Sequence, residues 1–210
     1  MDVARLNHGD ETVIVGTSGF ALELAGLLND NHITVRGCIG PIAPHSTELN
    51  YLGDDDCIKD WRHLPMLVAL GEPELRRTLF ERLQLADARL GTFVDSQAYV
   101  SSFSSIAEGV IVYPHATVHA WVTLERGVLI NSNSSIGHET HIGAFTTVGP
   151  GSSLGGKIWL GERVYVGIGA TMIEEITVAD GTILGAGTVV VRNCDQPGTY
   201  VGVPARLLSS

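Results

Sequence analysis

Between Val100 and Val190 an apolar residue recurs at every sixth position without a slip, opening Val100, Ile106, Val112, Val118 and closing Val178, Leu184, Val190. Every member is aliphatic except Met172. An α-helix returns apolar residues every 3.6 positions, whereas a strand puts residues two apart on one face. The positions two before each member are nearly all small or β-branched, from Ser104, Val110 and Ala116 to Thr182 and Thr188. Each unit therefore reads as a short strand with two inward residues, followed by a corner. Glycine falls either directly after the aliphatic residue (Gly137, Gly143, Gly149) or three after it (Gly109, Gly127, Gly151), where a corner needs it. Units of this length predict a coil of parallel strands, a parallel β-helix. The spacing carries no information on its hand, since crossovers between parallel strands are ordinarily right-handed.

The first ninety-five residues lack that period and read as a separate α/β unit. An apolar run, Val13-Ile14-Val15, passes through Gly16-Thr17-Ser18-Gly19-Phe20 into the helical pattern Ala21 to Leu28. Such a strand, glycine turn and helix offers backbone N–H groups and a helix N-terminus to a phosphate, although a tight turn without a ligand has the same sequence. A second strand over 33–39 ends at Gly40-Pro41, with no acidic residue there to bind a ribose hydroxyl, which argues against NAD. Tyr51 to Asp56 reads as a turn with a solvated acidic run. A third strand over 66–70 leads through Gly71-Glu72-Pro73 to a helix over 74–85, whose Arg76, Arg77, Glu81 and Arg82 are expected to face water. The expected division is an α/β domain over 1–95, the coil over 96–194 and a tail over 195–210.

A formal net charge of -10 argues against a nucleic-acid partner, which needs clustered Lys and Arg. The three cysteines, Cys38, Cys57 and Cys194, are widely spaced and suggest neither a disulfide framework nor a zinc knuckle. No run is long and apolar enough to span a bilayer, and Met1-Asp2-Val3 opens no leader, so a cytoplasmic protein without a membrane partner is expected.

The coil holds His115, His119, His138 and His141. A zinc site here would need imidazoles stacked in register. Eighteen and thirty-six positions from these four stand other residues and never another histidine, so no metal is expected. His138 lies two after the inward Ile136, at a corner, and so points outward. Ala120 and Gly156, eighteen positions before and after it, are small enough to let a reacting group approach. On spacing alone, an outward histidine beside Glu139 is as readily surface decoration as a general base.

The motifs V-I-V-G-T-S-G-F-A, V-A-L-G-E-x-E-L-R-R and Y-V-G-V-P-A-R, with the six-residue coil, together resemble the PglD and NeuD group of hexapeptide-repeat sugar acetyltransferases over nearly the whole chain. The resemblance implies a left-handed parallel β-helix of triangular, eighteen-residue coils, about five of them and roughly 25 Å tall, after a Rossmann-like domain. It implies that Gly16, Thr17, Ser18, Gly19, Phe20, Gly71 and Glu72 hold the nucleotide of an NDP-activated amino sugar. Gly40-Pro41 replaces the group's acidic pair, which leaves the base open. The segment Ser134-Ser135-Ile136-Gly137-His138-Glu139 matches the group's catalytic base and its acidic helper at His138 and Glu139, with Asn131 near the sugar. Acetyl-CoA is implied along Gly156, Gly167, Ile168, Gly169 and Ala186, with Gly156 as an oxyanion donor and Thr147 where relatives carry a second histidine. Asp95 stands where relatives carry another. A homotrimer with pockets between subunits is implied, the tail capping the coil or touching the cofactor. The expected function is N-acetylation of an NDP-4-amino-4,6-dideoxyhexose for a surface glycan, such as O-antigen or lipopolysaccharide. O-acetylation of sialic acid or a related sugar is the second reading, and a non-catalytic β-helical assembly module the third.

Overall fold

A computed structural model describes residues 4–208, and Met1-Asp2-Val3 lie outside it. The chain divides into two compact units after Asp95. In the first, β1 (Glu11–Val15), β2 (Thr34–Ile39), β3 (Tyr51–Gly53) and β4 (Met66–Val68) form one sheet in the order β3-β2-β1-β4. All its pairings are parallel. Strands buried on both faces of a parallel sheet read as continuous apolar runs, which is the pattern of Val13-Ile14-Val15 and Met66-Leu67-Val68, all at most 3% exposed.

The helices are α1 (Gly19–Asp30), the single turn α2 (Ile58–Trp61) and α3 (Pro73–Leu85). Helix α3 begins with Pro73 in its first turn, and the Glu72 carboxylate accepts hydrogen bonds from the N–H groups of Glu74 and Leu75. That satisfies two donors which a helix start leaves open.

Two expectations from the sequence are corrected here. Tyr51 to Gly53 is not turn but edge strand, pairing Cys38 with Tyr51 and Ile39 with Gly53. It is too short to register as a strand beside an acidic run. Arg76 does not face water: it is 2% exposed, and its Nη1 donates to the carbonyls of Leu70 and Gly71 at 2.7 and 3.0 Å. Desolvation pushes its guanidinium down to about 9, opposed by the Glu72 charge, so it stays charged at neutral pH and pins the chain between β4 and α3.

The second unit is a parallel β-helix with three faces. Face A carries Ser135–Ile136 and Ser153–Leu154, face B His141–Ile142 and Trp159–Leu160, and face C Leu129–Ile130 and Thr147–Val148. Residues eighteen positions apart pair between rungs, as in Ser135↔Ser153, Thr123↔His141 and Leu129↔Thr147. The second residue of each pair points inward, giving a core of Val118, Ile136, Leu154, Leu160 and Val166 that is at most 4% exposed.

The small inward polar residues bind the rungs together. Thr146 donates to the Gly161 carbonyl at 2.9 Å and accepts from the Val164 N–H at 3.0 Å. Thr140 makes the same pair of bonds to Gly155 and Ile158.

Every corner uses one left-handed residue, again every sixth position, from Gly109 to Gly187. Six of those positions are glycine, while His115, Trp121, Asn133, Glu139, Phe145, Lys157, Arg163 and Glu175 hold the same φ of 55 to 61° with a side chain. The glycines directly after the aliphatic residue have another cause, since they do not adopt positive φ. A Cβ on Gly149 would meet the Val166 carbonyl oxygen at 2.7 Å. They are glycine because the next rung's backbone lies against them.

Past Cys194 the chain rejoins face C: Thr199–Val201 pairs with Ile183–Leu184, then turns back as Arg206–Leu207.

Candidate active site

His138 sits at the edge where face A turns into face B, between Ser135–Ile136 and His141–Ile142. Its imidazole points outward, with a side chain 58% exposed, and its Nδ1 lies 2.9 Å from Glu139 Oε2. Glu139 occupies the left-handed corner position at φ 59°, and its N–H donates to the Ala120 carbonyl one rung below. The corner geometry thus turns two consecutive side chains toward each other, which an extended strand would send to opposite faces. A carboxylate on Nδ1 favours the tautomer with its proton there, leaving Nε2 open as a proton acceptor.

The opposite side of the ring lies over Gly156, one rung above. A Cβ on Gly156 would fall 2.7 Å from His138 Nε2. Glycine at 156 is therefore what leaves the imidazole its place. The rung is held on both sides of this point, because the Lys157 N–H donates to the His138 carbonyl at 2.7 Å.

Another histidine of the coil is differently committed. His141 stacks on Trp159 with ring centroids 3.9 Å apart, and its Nε2 lies 3.3 Å from Glu125. Among the described residues, no group of three or more His, Cys, Asp or Glu gathers as it would around a metal ion.

The remaining sequence-derived positions fall elsewhere on the coil. Asn131, Gly167, Ile168, Gly169 and Ala186 lie along the edge between faces C and A, one face away from His138. Asn131 Nδ2 donates to the Val148 carbonyl at 3.2 Å. Gly167 is buried, while Ile168, Gly169 and Ala186 are exposed. Thr147 lies on face C and is 2% exposed. One chain thus brings together His138, Glu139 and Gly156, and keeps the C/A edge apart from them.

In the first unit the strand order reverses around β1, with β2 on one side and β4 on the other. In open parallel sheets such a reversal leaves a crevice at the carboxyl ends of the strands. A cavity of about 340 Å³ lies there, lined by Gly16, Thr17, Ser18, Gly40, Pro41 and Leu70, among others. Gly16 is at φ 131° with the Ala69 carbonyl 2.8 Å from any Cβ, so the turn admits no side chain.

Ser18 is the N-cap of α1, and its side chain makes no capping bond. Gly19 and Phe20 open the helix itself. Gly71 and Glu72 stand at the start of α3, where the Glu72 carboxylate is occupied with its own helix. Asp55 and Arg82, joined at 2.6 Å, also line the cavity. The sequence reading placed both on solvated faces. Nothing in their local spacing, 27 positions apart, announces the pair.

No protein-family model matches the chain, and no curated protein does. Solved structures do. PerB from Caulobacter crescentus, solved in complex with CoA and GDP-perosamine, superposes with a TM-score of 0.90 at 29% identity, over 96% of this chain and 98% of that one. The acetyltransferase domain of PglB from Neisseria gonorrhoeae gives 0.86 at 25% identity, over 95% of this chain and 100% of that one. Over nearly its whole length this chain shares the fold of hexapeptide-repeat sugar N-acetyltransferases. WeeI from Acinetobacter baumannii shares the fold at a TM-score of 0.83 and 20% identity, over 95% of this chain and 100% of that one. A histidine-to-alanine variant of the Caulobacter enzyme has been solved with CoA and GDP-perosamine both bound. Among the described residues of this chain, no helix is long and apolar enough to cross a membrane.

Proposed function

We propose that this acetyltransferase moves the acetyl group of acetyl-CoA to the amino group of an NDP-activated amino sugar, with His138 as the general base. The observation that carries this reading is the outward imidazole clamped at Nδ1 by Glu139, its other flank opened by Gly156. The amine nitrogen attacks the thioester carbonyl carbon, so that an N–C bond forms and the C–S bond breaks. Nε2 takes the proton the nitrogen must shed, and that proton leaves with the sulfur as coenzyme A thiol. Histidine titrates near neutrality and suits this exchange, while the Glu139 carboxylate stabilises the imidazolium between the two transfers. The backbone N–H of Gly156 is the proposed donor to the carbonyl oxygen as charge develops there.

The cavity at Gly16, Thr17 and Ser18 is proposed to take the nucleotide, in a Rossmann-like domain. A nucleotide-linked acceptor uses that cavity, whereas a free sugar accepting acetyl at oxygen would leave it without a role. The cofactor positions on the C/A edge cannot meet His138 within one chain. We therefore assign a left-handed coil in a homotrimer, where the C/A edge of one copy closes against the His138 edge of another. A 4-amino-4,6-dideoxyhexose is the proposed sugar, and the enzyme is placed in the cytoplasm.

Thiol release from acetyl-CoA is to be measured with UDP-, GDP- and dTDP-linked amino sugars. At least one is expected to turn over, and His138→Ala is expected to slow it by roughly 10²- to 10⁴-fold. Silence with every sugar, or full activity in the variant, would overturn the assignment.

A further inference from the structure

The column that holds Glu139 changes character along the coil. Eighteen-residue steps up from Glu139 give Lys157, Glu175 and Asn193, all polar. Steps down give Trp121 and then Phe103, which are 63% and 70% exposed. Their rings lie 5.8 Å apart at 37°, a spacing at which aromatic rings attract. Beside them the His138 column runs down through Ala120 and Ser102, both small. The edge beneath His138 is thus a shallow floor with an aromatic wall.

Trp121 is an unfavourable choice on folding grounds alone. Its backbone sits at φ 58°, where a bulky side chain is uncommon. Glycine fills that place at six of the fourteen such corners. The indole also buries little of itself against its own chain, so the ordinary gain from a large aromatic is largely absent. A surface that keeps a tryptophan under those conditions, one rung below the base's carboxylate, has a ligand's shape rather than a core's.

We propose that Trp121, backed by Phe103, is a positioning residue that holds the acceptor sugar by stacking on the apolar face of its ring. This rests on the N-acetyltransferase reading above. It also gives the groove a direction. The acceptor lies on the low-rung side, against the aromatics, and the thioester arrives from the high-rung side, where Gly156 puts no side chain in its way. A deoxy sugar, with more C–H surface than a fully hydroxylated one, is the class of acceptor that gains most from such a wall.

The test is Trp121→Asn, because Asn133 already holds the same corner conformation at φ 60° and the substitution adds no strain. With the amino sugar that wild type turns over, the acceptor KM should rise roughly tenfold or more while the acetyl-CoA KM and the melting temperature stay put. Trp121→Phe should recover most of the loss. An unchanged acceptor KM overturns the platform while leaving the N-acetyltransferase reading intact. A smaller particle by light scattering at an unaltered acceptor KM also overturns it, and assigns the aromatics to contact between copies. A wild type inert toward every amino sugar removes both proposals together.

Discussion

Gly156 and Gly167 are both corner glycines on an outer edge of the coil, two positions after Leu154 and one after Val166, and neighbours of different kinds exclude a side chain from them. At Gly156 a Cβ would meet the ring of His138, the exposed end of a side chain that can swing away. At Gly167 it would meet the Leu184 carbonyl oxygen at 2.6 Å and the Ala186 nitrogen at 2.7 Å, atoms of the next rung's backbone. Those atoms cannot retreat, since the Gly167 N–H is itself bonded to the Leu184 carbonyl at 2.8 Å. One glycine makes room for chemistry and the other for stacking. The period fixes the place of each, but not whether a side chain or a backbone lies against it.

The comparison is tested most strongly at Gly156. Gly156→Ala should displace the imidazole while leaving the rungs alone, so kcat/KM is expected to fall roughly a hundredfold with a melting temperature close to that of wild type. Full activity would mean that the ring position seen here is not the working one. Gly167→Ala should act through stability. Forcing a methyl into closely packed backbone typically costs about 1–3 kcal/mol, read as a lowered urea midpoint with an unaltered slope. A variant as stable as wild type would show that the C/A edge yields more readily than its hydrogen bonding implies.

Much of the coil was legible because inward residues must be apolar or small in every rung, so a single period fixes strand, face and eighteen-residue register together. The outward position of His138 followed from counting two past Ile136, and its open flank from Gly156 one rung on. The left-handed corner was only half visible. Glycine marks it at Gly151 and Gly169, but Glu139, Phe145 and Lys157 adopt the same backbone without any compositional sign. In the α/β unit each element occurs once, so a short strand such as Tyr51–Gly53 has no repeats to average over. A lone Arg76 in a run of charges also gives no hint that two carbonyls await it. The separation of His138 from Asn131 and Gly167 across face A was implicit in the period, but only a reading of all three corners as distinct edges brings it out.

The smallest effect separates a middle rung from the last one. Thr146 bridges rungs through Gly161 and Val164, fifteen and eighteen positions on. Thr182 occupies the equivalent inward place and is fully buried, but the chain above it has left the period. Ile183 pairs with Thr199, sixteen positions on, and among the described residues the Thr182 hydroxyl finds no hydrogen-bond partner. Thr146→Val would strand a buried N–H and carbonyl, at a cost of about 1–3 kcal/mol. Thr182→Val removes a hydroxyl that was already unpaired, in favour of a methyl of the same size. It should leave stability unchanged or raise it by up to about 1 kcal/mol. Urea unfolding of the two variants side by side decides the matter. Equal losses would mean that position 182 is stapled after all, and that the terminal rung follows the same rule as the rest.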